Sequence, residues 1–325
     1  MSRFLVTGAL GCIGAWTLYH LTQAGKSAVV LDVSTTPTRP RLLMDDEQVA
    51  QVQFIQGDIT DLGQVERVVA DQGITHIIHL AALQVPFCRA DPPLGARVNV
   101  VGTVNIFEAA RRSQGGVRGI VYASSVAVFG APDDYPEGPV ADNAALLPTT
   151  LYGVYKQANE GTARVYWQDW QVPSIGLRPA TVYGVARDQG MTSSPTKAML
   201  AAALGKPYRV PFGGYVGMQW ASDVAQAFIQ SVEAEWPNAG VFNLGGAPVS
   251  VAEILRLIET VAPDSAGQLT AADNQLPFPY DFEDAGLQAA IGPVPRTPLA
   301  EGVAATVTRF RELAQAGLVD ERGLN

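Results

Sequence analysis

Val6-Thr7-Gly8-Ala9-Leu10-Gly11-Cys12-Ile13-Gly14 decides how this chain is read. The run Phe4–Thr7 reads as a strand and Cys12–Ala24 as a helix, so the glycines fall on the turn between them. Glycine permits a tight turn and a backbone close enough to touch a ligand. The helix behind it aims free amides and its positive dipole end outward, which suits a pyrophosphate. Glycines at this spacing are weak evidence alone; their place between a first strand and a first helix makes them informative.

The same alternation continues outward from that turn. Ala28–Asp32, Val52–Gln56, His76–Leu80 and Gly119–Ala123 read as strands, with Asp61–Asp71 and Leu94–Ser113 as intervening helices. Repeated βα units predict an α/β protein with a Rossmann-type doubly wound parallel sheet. After a loop rich in proline and acid (Ala131–Asn143), Pro148-Thr149-Thr150 marks a helix start with threonine as cap; that helix runs to about Trp170, and Ser174–Arg178 is a further strand. From about Tyr183 the pattern loosens. Helices are expected near Pro195–Leu204, Ser222–Glu233, Val251–Val261 and Val303–Ala314, with a strand at Val241–Leu244. Residues 1–180 are thus expected to form a dinucleotide-binding domain that carries the catalytic groups. Residues 181–325 would form mainly a smaller C-terminal α/β lobe over the substrate, with some segments returning to the core.

Asp32 ends the second strand 18 residues beyond Gly14, near the usual spacing for a carboxylate that holds an adenosine ribose. A carboxylate there repels a 2′-phosphate, so NAD is expected over NADP. Arg39 and Arg41 follow closely enough for a bent loop to bring either back.

Tyr122-Ala123-Ser124-Ser125 lies at a strand's C-terminal end, where open α/β sheets place ligands. Tyr152-Gly153-Val154-Tyr155-Lys156 opens the next helix, and its Tyr152 and Lys156 share one face. A free phenol, with a pKa of about 10, is a poor base at neutral pH. A nearby ammonium and a positive nicotinamide favour its phenolate. Tyr152 then takes the proton of a substrate hydroxyl while the carbon gives hydride to NAD. Either Ser124 or Ser125 can hold the same oxygen.

Composition narrows the alternatives. The chain has 325 residues, 47% hydrophobic and 16% charged, with a formal net charge of −9 and no basic block, so nucleic acid and anionic membrane are poor partners. No apolar run is long enough to span a bilayer, and the glycine turn comes too early for a signal peptide. Two cysteines, Cys12 and Cys88, fit a reducing cytoplasm, and with three histidines they give no metal-ligand spacing.

The Thr-Gly-x-x-Gly-x-x-Gly turn resembles the fingerprint of the extended short-chain dehydrogenase/reductase family, of the NAD-dependent epimerase/dehydratase type. Gly57-Asp58-Ile59, His79-Leu80-Ala81-Ala82 and Asn99 in Val98-Asn99-Val100-Val101-Gly102-Thr103 resemble later segments of that family. So do Leu177-Arg178-Pro179-Ala180-Thr181-Val182-Tyr183-Gly184, Ser222-Asp223-Val224-Ala225 and Phe242-Asn243-Leu244-Gly245-Gly246, in order along almost the whole chain. The resemblance implies cofactor contacts from Gly8, Gly11, Cys12, Ile13, Gly14 and Asp32, then from Asp58, Ile59, Leu80, Ala81, Ala82, Asn99 and Ser124. It makes Ser125, Tyr152 and Lys156 catalytic, with Tyr152 and Lys156 also touching the cofactor and Lys156 gripping the nicotinamide ribose. Ser125 is preferred because it lies five before Gly130, as in the family's Ser-x-x-Val-Tyr-Gly; Phe129 replaces that tyrosine. A homodimer through Leu94–Ser113 and Thr149–Trp170 is also implied.

Departures from the family bear on substrate. Sugar-nucleotide enzymes of the group place an asparagine where this chain has Thr181 and an arginine where it has Val216, both of which hold a diphosphate. Arg187 or Arg209 are the available substitutes. Val126-Ala127-Val128 replaces the dehydratases' acidic pair, which argues against dehydration. The expectation is an oxidoreductase moving hydride between NAD and a secondary alcohol or ketone of a small sugar, sugar acid or hydroxy acid. The alternatives are a sugar-nucleotide epimerase with tightly held NAD and a non-catalytic NAD-binding protein.

Overall fold

The computed structural model describes residues 2–234, 236–319 and 321–324. Its strands are β1 (Arg3–Thr7), β2 (Ser27–Asp32), β3 (Gln53–Gln56), β4 (His76–His79), β5 (Gly119–Ala123), β6 (Ser174–Arg178), β7 (Thr181–Tyr183), β8 (Tyr208–Val210), β9 (Tyr215–Trp220), β10 (Ala239–Asn243), β11 (Ala247–Ser250) and β12 (Leu269–Ala271). Seven of them form one sheet in the order β10-β6-β5-β4-β1-β2-β3, every neighbouring pair parallel. The central strands are apolar on both faces because helices cover both. On one face Leu18 and Leu21 of the helix Cys12–Gln23 pack with Phe228 of the helix Ala221–Glu233 against Val6, Val30 and Val121. On the other, Val65, Phe107 and Tyr166 from helices Leu62–Asp71, Gly102–Arg112 and Leu151–Trp170 pack against Leu5, Val29 and Ile77.

Chain order reverses between β1 and β4: β1 has β2 on one side and β4 on the other. The chain leaves β1 for a helix on one face of the sheet and β4 for helices on the other, and the crevice at such a reversal is where these sheets hold ligands.

A second core lies beyond the sheet. It gathers Met199, Phe212, Ile254, Ile258 and Phe310 from helices Ser194–Leu204, Val251–Val261 and Leu299–Gln315 and the segments between them. Two small sheets, β11-β9-β7 and β12-β8, accompany it. Trp16 packs against both cores, and its indole donates to the Val185 carbonyl at 3.0 Å.

Two expectations need correction. The strand expected at Val241–Leu244 is Ala239–Asn243, the edge of the main sheet beside β6. The helix expected at Leu94–Ser113 is broken into Pro92–Ala96, a wider π-helical turn at Arg97–Val101, and Gly102–Arg112. Strands β7, β8, β9, β11 and β12, three to six residues long, were not anticipated. Pairing between distant segments, not local pattern, makes them strands. Pro248 sits in β11, an edge strand, where a missing amide is tolerated.

Candidate active site

The crevice opens into a cleft of about 680 Å³. Its floor is the glycine turn. Gly8 has φ +67°, and a Cβ on it would lie 2.5 Å from the Ala81 nitrogen, so only glycine lets the β1 and β4 loops approach. A Cβ on Gly14 would lie 2.5 Å from the Gly8 carbonyl oxygen. Gly11 caps the following helix without any side-chain bond, which leaves the amides of Cys12, Ile13 and Gly14 facing the cleft.

Asp32 ends β2 on the cleft wall, half-buried, its Oδ2 3.4 Å from the Leu10 amide; burial pushes its carboxyl above the ordinary value. Arg39 returns to this wall, donating to the Leu10 carbonyl at 2.9 Å and pairing with Asp188 at 3.0 Å. Arg41 instead pairs with Asp46 on the surface. Asp58, Ile59, Leu80, Ala81 and Ala82 line the cleft. Asn99 does not. It is 1% exposed, and its side chain accepts from the Leu83 amide at 2.7 Å and donates to the Leu83 carbonyl at 2.9 Å. Expected as a cofactor contact, Asn99 instead fixes the backbone of the loop that lines the cleft.

Thr150 caps the helix Leu151–Trp170 by accepting the Gly153 amide at 3.1 Å. A Cβ on Gly153 would collide with the Ala127 carbonyl, so glycine lets this first turn settle against the segment after Ser125. Tyr152 and Ser125 both line the cleft, and Ser125 Oγ accepts the Ala127 amide at 3.1 Å. Lys156 is 3% exposed; its ammonium donates to the Ala123 carbonyl at 2.6 Å and lies 5.5 Å from the centre of the Tyr152 ring. Ser124 borders the cleft too, but its hydroxyl is committed to Glu160, to which it donates at 2.5 Å.

The electrostatics depart from the simple picture of a phenol made acidic by a neighbouring ammonium. Burial pushes the Tyr152 phenol up, opposed by the Ser125 hydrogen bond and then by the charge of Arg187. Burial also pulls Lys156 down to about 8, with Cys88 and Glu160 pulling it back up. The ammonium is thus directed at a backbone carbonyl, and the groups that oppose the rise at Tyr152 are Ser125 and Arg187.

The outer cleft is mostly apolar. Thr181 and Val216 lie on its wall, together with Val126, Ala127, Tyr215, Leu276, Phe278 and Pro279. Arg187 lines it; Arg209 is exposed on β8 and does not. Cys88 is buried below the wall, its thiol 3.2 Å from the Leu83 carbonyl. Apart from Arg187, neither Gln84 nor the segment from Ala186 to Thr192 was anticipated as lining. Gly184 and Gly190 were the available sign of a shaped loop there, both at positive φ.

A switch-point cleft floored by a glycine turn, with a carboxylate at the end of β2, defines a dinucleotide-binding α/β protein. The profile of the NAD dependent epimerase/dehydratase family matches residues 4–245. A UDP-glucose 4-epimerase from Mycolicibacterium smegmatis is 31% identical across 96% of this chain and 100% of its own length. The UDP-glucose 4-epimerase from Thermus thermophilus, solved with NAD, is 28% identical, with a TM-score of 0.79 over 95% of this chain and 99% of that one. An L-threonine dehydrogenase from Cupriavidus necator, 24% identical, shares the fold with a TM-score of 0.81 over 95% and 99% of the two chains. The chain belongs to the NAD-dependent epimerase/dehydratase family. Its residues fit that cofactor: the Gly8 and Gly14 cradle has no room for side chains, and the open helix amides and Asp32 carboxylate suit a pyrophosphate and a ribose.

Two outcomes follow. Gly8→Ala drives a methyl into the Ala81 backbone and is expected to weaken NADH binding about tenfold or more, read by fluorescence titration; unchanged affinity contradicts the cradle. For Lys156, folding lowers the pKa from 10.5 to about 8, so between these values the unfolded chain binds more protons and stability climbs as pH rises. Lys156→Met cannot titrate there, so its stability relative to the native chain should be higher at about pH 7.5 than at about pH 10 in urea unfolding.

Proposed function

We propose that this chain is an NAD-dependent dehydrogenase that oxidises a secondary alcohol on a small polar substrate, with Tyr152 as the base. The observation that carries this reading is Ser125, Tyr152 and Lys156 lining one cleft, with the Lys156 ammonium 5.5 Å from the centre of the Tyr152 ring. When bound, NAD supplies the hydride acceptor and a positive ring that favours the phenolate. Tyr152 removes the hydroxyl proton as the substrate carbon loses its hydride, which leaves a ketone. Ser125 donates to the same oxygen and holds it in line. Lys156 keeps the turn in register through the Ala123 carbonyl and presents its ammonium to the ribose side. The apolar wall at Val216 and the short Thr181 favour a substrate without a diphosphate, which needs several charge-assisted partners.

A second reading, epimerisation of a sugar nucleotide, is favoured by the full-length likeness to the UDP-glucose 4-epimerase. Tyr215, stacked on Tyr280 at 5.2 Å, also lines the cleft and offers a flat face to a base. Net NADH accumulation separates the two, since epimerisation returns the hydride.

In this reading residues 1–180 bind the dinucleotide and carry the chemistry, and residues 181–325 mainly enclose the substrate. Among the described residues no helix is long and apolar enough to cross a membrane. Val101, Val154 and Val165, 46%, 44% and 41% exposed, leave apolar surface on the helices expected at a dimer interface.

Tyr152→Phe should cut NADH formation by about 10² or more while leaving NADH affinity nearly unchanged. In the native chain, oxidation should rise with pH because the phenol must lose its proton. Undiminished activity in the variant would remove the mechanism. Light scattering should give twice the chain mass, and a monomer would refute the dimer.

A further inference from the structure

We propose that Arg187 and Gln84 form a carboxylate-binding corner in the outer cleft, so that the substrate is a small hydroxy acid bearing a further hydrogen-bond donor. This inference rests on the dehydrogenase reading and narrows its substrate class.

Three cations line the cleft among the described residues: Arg39, Lys156 and Arg187. Arg39 is committed to Asp188 and the Leu10 carbonyl, and Lys156 to the Ala123 carbonyl. Arg187 alone has unused capacity, and its charge reaches both Tyr152 and Cys12 of the glycine turn. Its Nη2 donates to Thr192 at 3.2 Å, but its Nε is buried with no partner. Gln84 Oε1 is also buried without a partner. Buried polar atoms left unpaired in a cleft call for a ligand that pairs them.

The two groups share one corner. A Cβ on Gly190 would run into Gln84 Oε1 and lie 3.3 Å from Arg187 Nη2, and Gly190 itself sits at φ +98°. Ala186, immediately before the arginine, is held at φ +73°, a costly conformation for a residue with a Cβ. The backbone is thus strained at the point that delivers the guanidinium to the cleft.

The chemistry of the corner selects its ligand. A guanidinium fork matches a carboxylate in plane and charge. The glutamine oxygen needs a donor, which a second hydroxyl or an ammonium on the same small acid supplies. One fork with apolar walls offsets the desolvation of one carboxylate and falls short for a diphosphate.

The full-length protein, loaded with NADH, is titrated with malonate and with neutral malonamide, read by NADH fluorescence and calorimetry. Malonate should bind and malonamide should not. Arg187→Gln should weaken malonate about tenfold or more while NADH affinity stays within about twofold, and Arg187→Lys should fall between. Gln84→Leu should erase any preference for tartronate over malonate. Thermal melts establish that each variant folds; if Arg187→Gln does not, Arg187→Lys carries the comparison. The proposal is overturned if the native chain does not prefer malonate, or if the arginine variants weaken NADH as much as malonate, which would place the guanidinium on the pyrophosphate. A chain that binds malonate through Arg187 but makes no NADH from any hydroxy acid refutes only the dehydrogenase reading. One that oxidises neutral polyols and ignores malonate refutes only the corner.

Discussion

The buried pair of Glu160 and Arg178 is the interaction on which the candidate active site stands. Arg178 ends β6 and meets both Glu160 oxygens at 2.8 Å, with side-chain exposures of 4% and 7%. Glu160 also accepts from Ser124 at the end of β5, and Arg178 donates to the Asp142 carbonyl and to Asn243 at the end of β10. Three strand ends, a loop and the helix Leu151–Trp170 are therefore tied to one ion pair. Removing one partner of such a pair leaves an uncompensated buried charge, a loss of about 3–5 kcal/mol. Lys156 lies one turn before Glu160, whose charge sustains the buried ammonium. Ser125 follows Ser124 directly, so the register of serine against tyrosine is set from below.

This dependence explains what was legible beforehand. The glycine turn is dictated by backbone geometry within nine residues, and its chemistry can be read without knowing the fold. Strand and helix periodicity in the first half is equally local, and most boundaries there fall within a residue or two of the structure. Glu160 gave no signal, since an acid in an amphipathic helix reads as solvated surface. Arg178 lies within a family-like stretch, and a charge ending an otherwise apolar strand is the hint the sequence holds. Gln84 and Ala186 reach the cleft through loop paths and a positive φ that no pattern encodes. Asn99 stands in a family-like stretch that implies the cofactor, but the fold of its π-helical turn gives its side chain to the Leu83 backbone.

Desolvation, not mutual attraction, dominates the tyrosine–lysine pair. Burial moves the phenol up and the ammonium down, the opposite of an activated base beside a permanent cation. The protein alone thus holds Tyr152 protonated. Ser125 and Arg187 offset part of that bias, and the remaining positive charge arrives with the dinucleotide. In the proposed reaction, the phenol is therefore activated only once the cofactor is bound.

The contrast between dehydrogenase and epimerase then turns on how firmly the cofactor is held, because the proton chemistry is common to both. The links that cross the cleft beside the glycine turn are few. Trp16 donates to Val185, and Arg39 pairs with Asp188, whose side chain is 50% exposed. A pair that exposed contributes about 0–1 kcal/mol. An epimerase must keep its reduced cofactor until the hydride returns, whereas a dehydrogenase must release it every cycle. A strap this weak suits release, and it agrees with walls that offer a diphosphate too few partners.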